Sequence, residues 1–475
     1  MKTSIRNKLI ALLSVILFAA IWEILALFLD SPVVLPTIDA VVSRFFQLAA
    51  TKLFWKSLGF TFLRVIAAFF ITFIAGLFLG FLSGLFENIR IFLVFPLSLI
   101  RGTPVVALIM VMLFWFDSRS LPVICAFLMN LPVMTDSVSK AVKNTDKSLL
   151  EMADVFKVSF FRRITHIYLP ETKPYIEGAA RTVFSQGWKV VAAGEILALP
   201  RNALGTLIQD NRLLMESSSV FALTLCLCLL CIISEKLLFK TITAGLSVLK
   251  KLNKSKSAES PIAPKTKFFC QEEQDCITIE NLSFTYSGSN ENLEEPVFKN
   301  LSLSIKCGTT TALFAPTGRG KTTLLKILSG LIPPESYEGT VKCLPVSFIF
   351  QDQRLVPNLS VLKNAALPLY KAFGKKGALK TARNYLSMVG LLQKENLPAG
   401  LLSGGEKQKL QAARAFSYQA PVILMDEGTS SLDEKSRSEL WKTIENLLAE
   451  NKRTLLFVTH IKEEALAHSS SIIEF

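Results

Sequence analysis

The sequence predicts a chain of two unlike parts, an all-α six-helix transmembrane region followed by an α/β P-loop nucleotide-binding domain. Three observations predict it. Apolar runs of membrane-spanning length recur through the first half between short charged segments. Residues 250–275, rich in Lys, Ser, Pro and Glu, carry no apolar period. Beyond them short β-rich runs alternate with helical stretches, and TALFAPTGRGKTTLLKIL sets a Gly-rich loop between a strand and a helix. A length of 475 residues suits two or three domains. The expected boundaries are 1–249 for the transmembrane region, 250–275 for a flexible linker and 276–475 for the nucleotide-binding domain.

The first apolar run, 9–29, follows Lys2, Arg6 and Lys8 as a secretory leader would, but it is too long and no A-x-A site follows. It reads as an uncleaved span with its N-terminus inside. Further spans are expected at about 58–86, 91–116, 121–140, 174–199 and 218–240. The loop at 141–173 carries Lys143, Lys147, Lys157, Arg162, Arg163 and Lys173, and the turn at 117–120 only Arg119, so the loop belongs on the cytoplasmic side. Gly76, Gly80 and Gly84 form a small-residue stripe for close helix packing. The third span is expected to break at Pro96 and at Arg101-Gly102-Thr103-Pro104. Arg64, Arg101, Arg181, Lys189 and Glu195 are charges at membrane depth. Arg101, beside the break, is the candidate for a solute pathway, and the others read as ion pairs or snorkelling groups.

The net charge of +14 divides into +11 on residues 1–254 and +3 on the remainder. The basic excess therefore sits in loops between apolar helices, where orientation in the bilayer explains it, and a nucleic-acid partner is not expected. The eight Cys show no pattern of ligand spacing spread over two knuckles; Cys226, Cys228 and Cys231 lie in an apolar helix as packing residues, and the Cys-x-x-Cys at 228–231 has membrane-like flanks rather than those of a zinc knuckle or thioredoxin turn.

The loop EMADVFKVSFFRRITHIYLP, Glu151 to Pro170, resembles the EAA loop of ABC (ATP-binding cassette) importer permeases. Glu151, Ala153, Ile167, Leu169 and Pro170 fall on that pattern, while Met152 and Lys157 replace its second Ala and its Gly. The resemblance implies an amphipathic helix docked on an ATPase. Val155, Phe156 and Val158 to Phe161 are expected to supply its apolar face. Over about 50–240 the chain is similar to permeases of the nitrate, sulfonate, taurine and thiamine-precursor importers.

In the second half, Gly318 and Gly320 let backbone N–H groups approach phosphate oxygens at a helix N-terminus. Lys321 is placed to reach the β- and γ-phosphates of ATP, Thr322 to hold Mg²⁺, and Thr323 to add a phosphate contact. Ala315 stands where the first Gly usually does, which restricts the loop and leaves the charged contacts intact. The run VILMDEGTSSLD delivers Asp426 to the Mg²⁺ shell and Glu427 to the attacking water as general base.

LSGGEKQ at 402–408 resembles the ABC signature. The resemblance implies that Ser403, Gly404 and Gly405 act on ATP held by a second copy, so that the working unit is a homodimer. It also implies roles for Asp433 in the loop after the base, for His460 as the γ-phosphate switch, for Gln351 as a Mg²⁺ ligand and sensor, and for Tyr286 stacked on adenine. The reading implied is ATP-driven import across the cytoplasmic (inner) membrane, with solute from a separate external binding protein. The alternatives are an ABC exporter half and a membrane-anchored ATPase that moves no solute.

Overall fold

A computed structural model describes residues 2–254, 274–286, 296–316, 318–429, 432–451 and 453–474. Most of the expected linker, and Thr317 of the P-loop, lie outside the described residues. The chain divides into two units, Met1–Asn144 with Thr172–Ser257 and Thr145–Glu171 with Ala258–Phe475. The segment resembling an EAA loop thus belongs with the nucleotide-binding domain.

The first unit is helical. Leu12–Leu29, Lys52–Leu85, Leu121–Lys143 and Ser217–Lys240 are, among the described residues, the four helices long and apolar enough to cross a membrane. The last runs on to Lys254, into the expected linker. Glu87–Gly102 and Val105–Met112 make a fifth if the pair is one span, bent by 99°. The break differs from the expected one. Pro96 sits inside a continuous helix, and the chain turns only at Thr103-Pro104, where proline removes an N–H and pushes the preceding residue out of helical geometry. The expected span at 174–199 is the helix Leu169–Ala198, which carries Glu171, Lys173, Glu177, Arg181, Lys189 and Glu195 and falls outside the apolar set.

Close packing and ion pairs hold this unit. A Cβ on Gly76, Gly80 or Gly84 would lie 2.6, 2.5 or 2.7 Å from the Cβ of Met134, Val138 or Val142, so the stripe lets Lys52–Leu85 lie directly against Leu121–Lys143. Fully buried Glu195 accepts from Arg64 at 2.7 Å, from the Thr61 hydroxyl at 2.9 Å and from the Gly205 N–H at 3.1 Å. These bonds tie the short helix Leu204–Leu213 to two long helices. Arg181 pairs with Glu235 at 3.7 Å, and Arg101 pairs with Asp136.

In the second unit, strands β1 (Asp275–Phe284), β2 (Phe298–Lys306) and β4 (Glu338–Cys343) form an antiparallel sheet in the order β2-β1-β4. Strands β3 (Thr310–Phe314), β5 (Val346–Ile349), β6 (Val422–Asp426), β7 (Thr454–Thr459) and β8 (Ser471–Glu474) form a second sheet in the order β5-β6-β7-β3-β8. All of its pairings are parallel. Strands β6 and β7 are buried at every position, as continuous apolar runs covered on both faces require. The loops that leave β3, β6 and β7 all emerge at the C-terminal edge of this sheet, where α/β folds bind ligands.

Candidate ATP-binding and coupling site

The P-loop lies between β3 and the helix Lys321–Leu328. Gly318 and Gly320 have φ of 89° and 82°, and a Cβ on Gly320 would lie 2.5 Å from Val297 Cγ1, so glycine is required at 320 on both counts. Ala315 is not among the residues with positive φ, and alanine therefore carries no backbone strain there. The buried Lys321 ammonium donates to the carbonyls of Ala315 and Pro316 at 2.5 and 3.0 Å, folding its charge into the loop.

Thr322, Gln351 and Asp426 line one cavity of about 260 Å³ with Lys326, Phe350 and Arg354. The Thr322 hydroxyl donates to Asp426 Oδ1 at 3.1 Å. Burial pushes the Asp426 carboxyl up to about 6, against the opposing Thr322 hydrogen bond. Gln351 Nε2 donates to Glu427 Oε2 at 2.9 Å, and His460 Nδ1 lies 3.6 Å from Glu427 Oε1. Glu427 itself is left-handed, with φ of 41°. Tyr286 is half exposed, sits edge-on to Phe284, and shares a hydrogen bond with Thr323 Oγ1 at 3.0 Å.

The signature residues are not among those lining the cavity. Ser403 caps the helix Gly404–Ser417 through a capping box with Glu406, in which its hydroxyl accepts from the Glu406 N–H and the Glu406 carboxylate accepts from the Ser403 N–H. Ser403 and Gly404 are exposed, and Gly405 lies against Ser436. The Asp433 carboxylate accepts from the Ser436 N–H at 3.3 Å, and hydrogen bonding by the Ser436 side chain, then by its backbone, holds it below the usual carboxylate range.

Residues 145–171 pack as part of this unit's core. Leu149, Met152, Ala153, Val155, Phe156, Val158 and Ile167 are buried among residues that include Phe348, Phe350, Val356 and Leu359. The expected face is half right. Val155, Phe156 and Val158 are buried, but Phe160 and Phe161 are 57% and 74% exposed, because the chain turns after Val158 and starts a new helix at Phe160–Arg163. Lys157 makes the turn. With φ of 48° it adopts the backbone a Gly would, its N–H donates to the Asp154 carbonyl, and the Val158 N–H donates to Ala153, which together close a Schellman helix end. Glu151 pairs with Arg354 at 2.7 Å, and the Pro170 carbonyl accepts from Asn358, while Leu169 stays exposed.

Sequence reasoning missed two buried groups. Arg414 is wholly buried, donates to the Arg354 carbonyl at 2.6 Å and faces the Phe156 ring at 5.2 Å; burial pushes its guanidinium down to about 9. Glu464 gathers three hydroxyl and indole donors. Leu149, Met152, Ala153 and Phe156, spaced i, i+3, i+4 and i+7, were open to reading as a helix face.

Residues 298–430 match the ABC transporter family, and residues 73–238 match the family of binding-protein-dependent transport system inner membrane components. The formylaminopyrimidine import ATP-binding protein ThiZ of Halalkalibacterium halodurans is 32% identical over 206 residues, covering 42% of this chain and 80% of that protein. The chain belongs to the ABC transporter family. Its ABC domain is also 34% identical over 207 residues to the spermidine/putrescine import ATP-binding protein PotA of Fusobacterium nucleatum, covering 41% of this chain. To the Fe(3+) ions import ATP-binding protein FbpC of Rhizobium etli it is 37% identical over 210 residues, covering 42% of this chain. The chain spans 54% and 58% of the lengths of those two proteins. It is a multi-pass membrane protein in which a permease region and an ABC ATPase domain are fused.

Proposed function

We propose that two copies of this chain form an ATP-driven importer of a small solute in the inner membrane. Each copy crosses the bilayer six times, with Leu169–Ala198 as the fifth crossing, and takes its solute from a separate external binding protein. The observation that carries this reading is the burial of residues 145–171 in the ABC unit. That segment continues along the chain into the helices Leu121–Lys143 and Leu169–Ala198, so a movement of the ATPase is passed to the permease through the backbone. The three relatives, all named for import ATP-binding proteins, support the direction. The finer assignment is to the nitrate, sulfonate, taurine and thiamine-precursor type, and the name of ThiZ favours its thiamine-precursor end. Residues 1–249 form the permease, 250–275 the linker and 276–475 the ATPase, which lies in the cytoplasm.

ATP binds with its phosphates on the P-loop amides, where Lys321 turns from its carbonyls to the β- and γ-phosphates and Thr323 adds a hydroxyl. Tyr286 stacks on adenine. The hydroxyl, carboxylate and amide of Thr322, Asp426 and Gln351 share one cavity and form the oxygen set a hard cation takes, so the site fits Mg²⁺. Mg²⁺, when bound, offsets the charge shared by the β- and γ-phosphates. Glu427 accepts the proton of the attacking water, and His460 senses the γ-phosphate. Ser403, Gly404, Gly405 and Asp433 complete the ATP site of the partner subunit, a role that the exposed N-terminus of Gly404–Ser417 suits. Arg101, with Asp136, lines the solute path.

The test is ATP turnover and ATP-dependent uptake by the purified full chain in liposomes, with the binding protein added. Turnover without uptake of any solute that the binding protein holds would reject import. Absence of turnover would reject the ATPase.

A further inference from the structure

Strands β6 and β7 lie side by side, with Asp426 opposite Val458. Each ends in a short loop that carries one reacting group, Glu427 after β6 and His460 after β7. The Glu427 N–H donates to the Val458 carbonyl at 3.2 Å, but the backbone of Glu427 is left-handed, a conformation that is strained for a non-Gly residue. Such a geometry persists only where the surroundings over-determine it.

One side chain ties both loops together. Glu464, four residues after His460 on the helix Lys462–His468, is 7% exposed. Its Oε1 accepts from the Thr429 hydroxyl at 2.5 Å and from Trp441 Nε1 at 2.7 Å, and its Oε2 accepts from the Thr459 hydroxyl at 2.5 Å. Thr429 lies two residues after Glu427, and Thr459 directly precedes His460. The Thr459 oxygen in turn accepts from the Ile461 N–H at 3.1 Å, closing the bend that carries the histidine. Trp441 stands on a separate helix, Glu434–Asn451, and anchors the carboxylate from behind.

We infer that Glu464 is a positioning residue for ATP hydrolysis. It braces the loop of the general base against the loop of the histidine, so that the 3.6 Å separation of Glu427 and His460 is set by a buried carboxylate whose own hydrogen bonds go to Thr429, Trp441 and Thr459. The inference rests on the proposed ATPase reading, and its test separates the two.

ATP turnover of the purified full chain is measured for wild type, Glu464→Ala and Glu464→Gln, with KM for ATP, kcat and Tm read on each. Glu464→Ala is expected to lower kcat about 10- to 100-fold, the scale of a misplaced reacting group, with KM for ATP changed less than about twofold, since no P-loop contact is touched. Glu464→Gln keeps an acceptor for Thr429 and Trp441 and presents an amide to the Thr459 oxygen, so it is expected to rescue most of the loss. Placed on a Glu427→Gln background, Glu464→Ala should lower the residual rate by much less than it does in the wild type, because the base it positions is already gone and only the histidine loop is left to displace. If Glu464→Ala does not fold, Thr459→Val removes one strut at nearly constant shape and takes its place. A folded alanine or valine variant with wild-type kcat, a loss that adds fully to that of Glu427→Gln, or a glutamine variant no better than alanine would overturn the inference. No turnover by the wild-type protein would instead reject the ATPase reading.

Discussion

Replacement of Phe156 by alanine tests whether residues 145–171 are held on the ABC unit by their own packing. The ring is 1% exposed, lies edge-on to Tyr418 at 5.4 Å and faces the Arg414 guanidinium at 5.2 Å. Truncating a buried phenylalanine costs about 3–5 kcal/mol in lost transfer energy and residual cavity. The aromatic pair makes up about 0.5–1.5 kcal/mol of this. Arg414 raises the cost, since its Nε and Nη2 lack hydrogen-bond partners among the described residues and its guanidinium faces the ring. A loss of about 3 kcal/mol is more than 100-fold in the equilibrium between docked and released segment. Amide hydrogen exchange of the full chain in nanodiscs reads it directly. Protection at Met152 to Val158 should fall by that factor while β6 and β7 keep theirs. Wild-type protection at Met152 to Val158 in the alanine variant would refute the claim that this core holds the segment.

Four further outcomes are expected. Lys157→Gly should stabilise the docked segment by roughly 0.5–1 kcal/mol, the relief of a left-handed lysine less the backbone entropy of glycine, read as a rise in the same exchange protection. Glu427→Gln should lower kcat about 10²- to 10⁴-fold while ATP binding by fluorescence titration is kept. Glu151→Gln removes the charge that pairs with Arg354, which is only 11% exposed; it should raise ATP turnover relative to uptake, measured as the number of ATP consumed per solute. His166 packs against Tyr370 at 5.1 Å, and burial, then Lys363 and Arg162, hold its imidazole below the usual histidine value. The docked segment binds fewer protons there than the released one, so its stability is full above the ordinary histidine range near about 6.5 and falls as pH drops through it; His166→Phe should flatten that dependence in exchange protection measured from pH 8 to 5.5.

Much of this fold was legible because its signals are local. A strand, a Gly-rich loop and a helix in direct succession announce a P-loop, and continuous apolar runs announce the buried strands β6 and β7. The glycine stripe at 76, 80 and 84 was read as packing, and the structure names the surface it packs against. What the sequence hid depends on contacts between distant segments. Glu464 looks like any acidic residue in the first turn of a helix until Thr429 and Trp441 are brought to it from 35 and 23 residues away. Arg414 reads as a solvated helix residue, and only the fold shows it wholly buried. Phe160 and Phe161 were misplaced because a hydrophobic run does not disclose where a left-handed residue ends a helix. Pro96 was overweighted as a breaker, since it lies inside the helix Glu87–Gly102, and a proline in an apolar membrane helix is tolerated where neighbouring groups re-satisfy the backbone carbonyl it frees.

The placement of residues 145–171 in the core of the ABC unit also bears on how tightly that core must grip. The permease segment and the ATPase are one molecule, so their meeting is intramolecular and proceeds at the effective concentration that a covalent connection sets. Contacts too weak to unite two separate subunits at cellular concentrations suffice here. Selection is then free to tune the grip for release and re-engagement in each cycle, and the left-handed Lys157 at the bend, which keeps the segment below its attainable stability, is consistent with a joint set for movement.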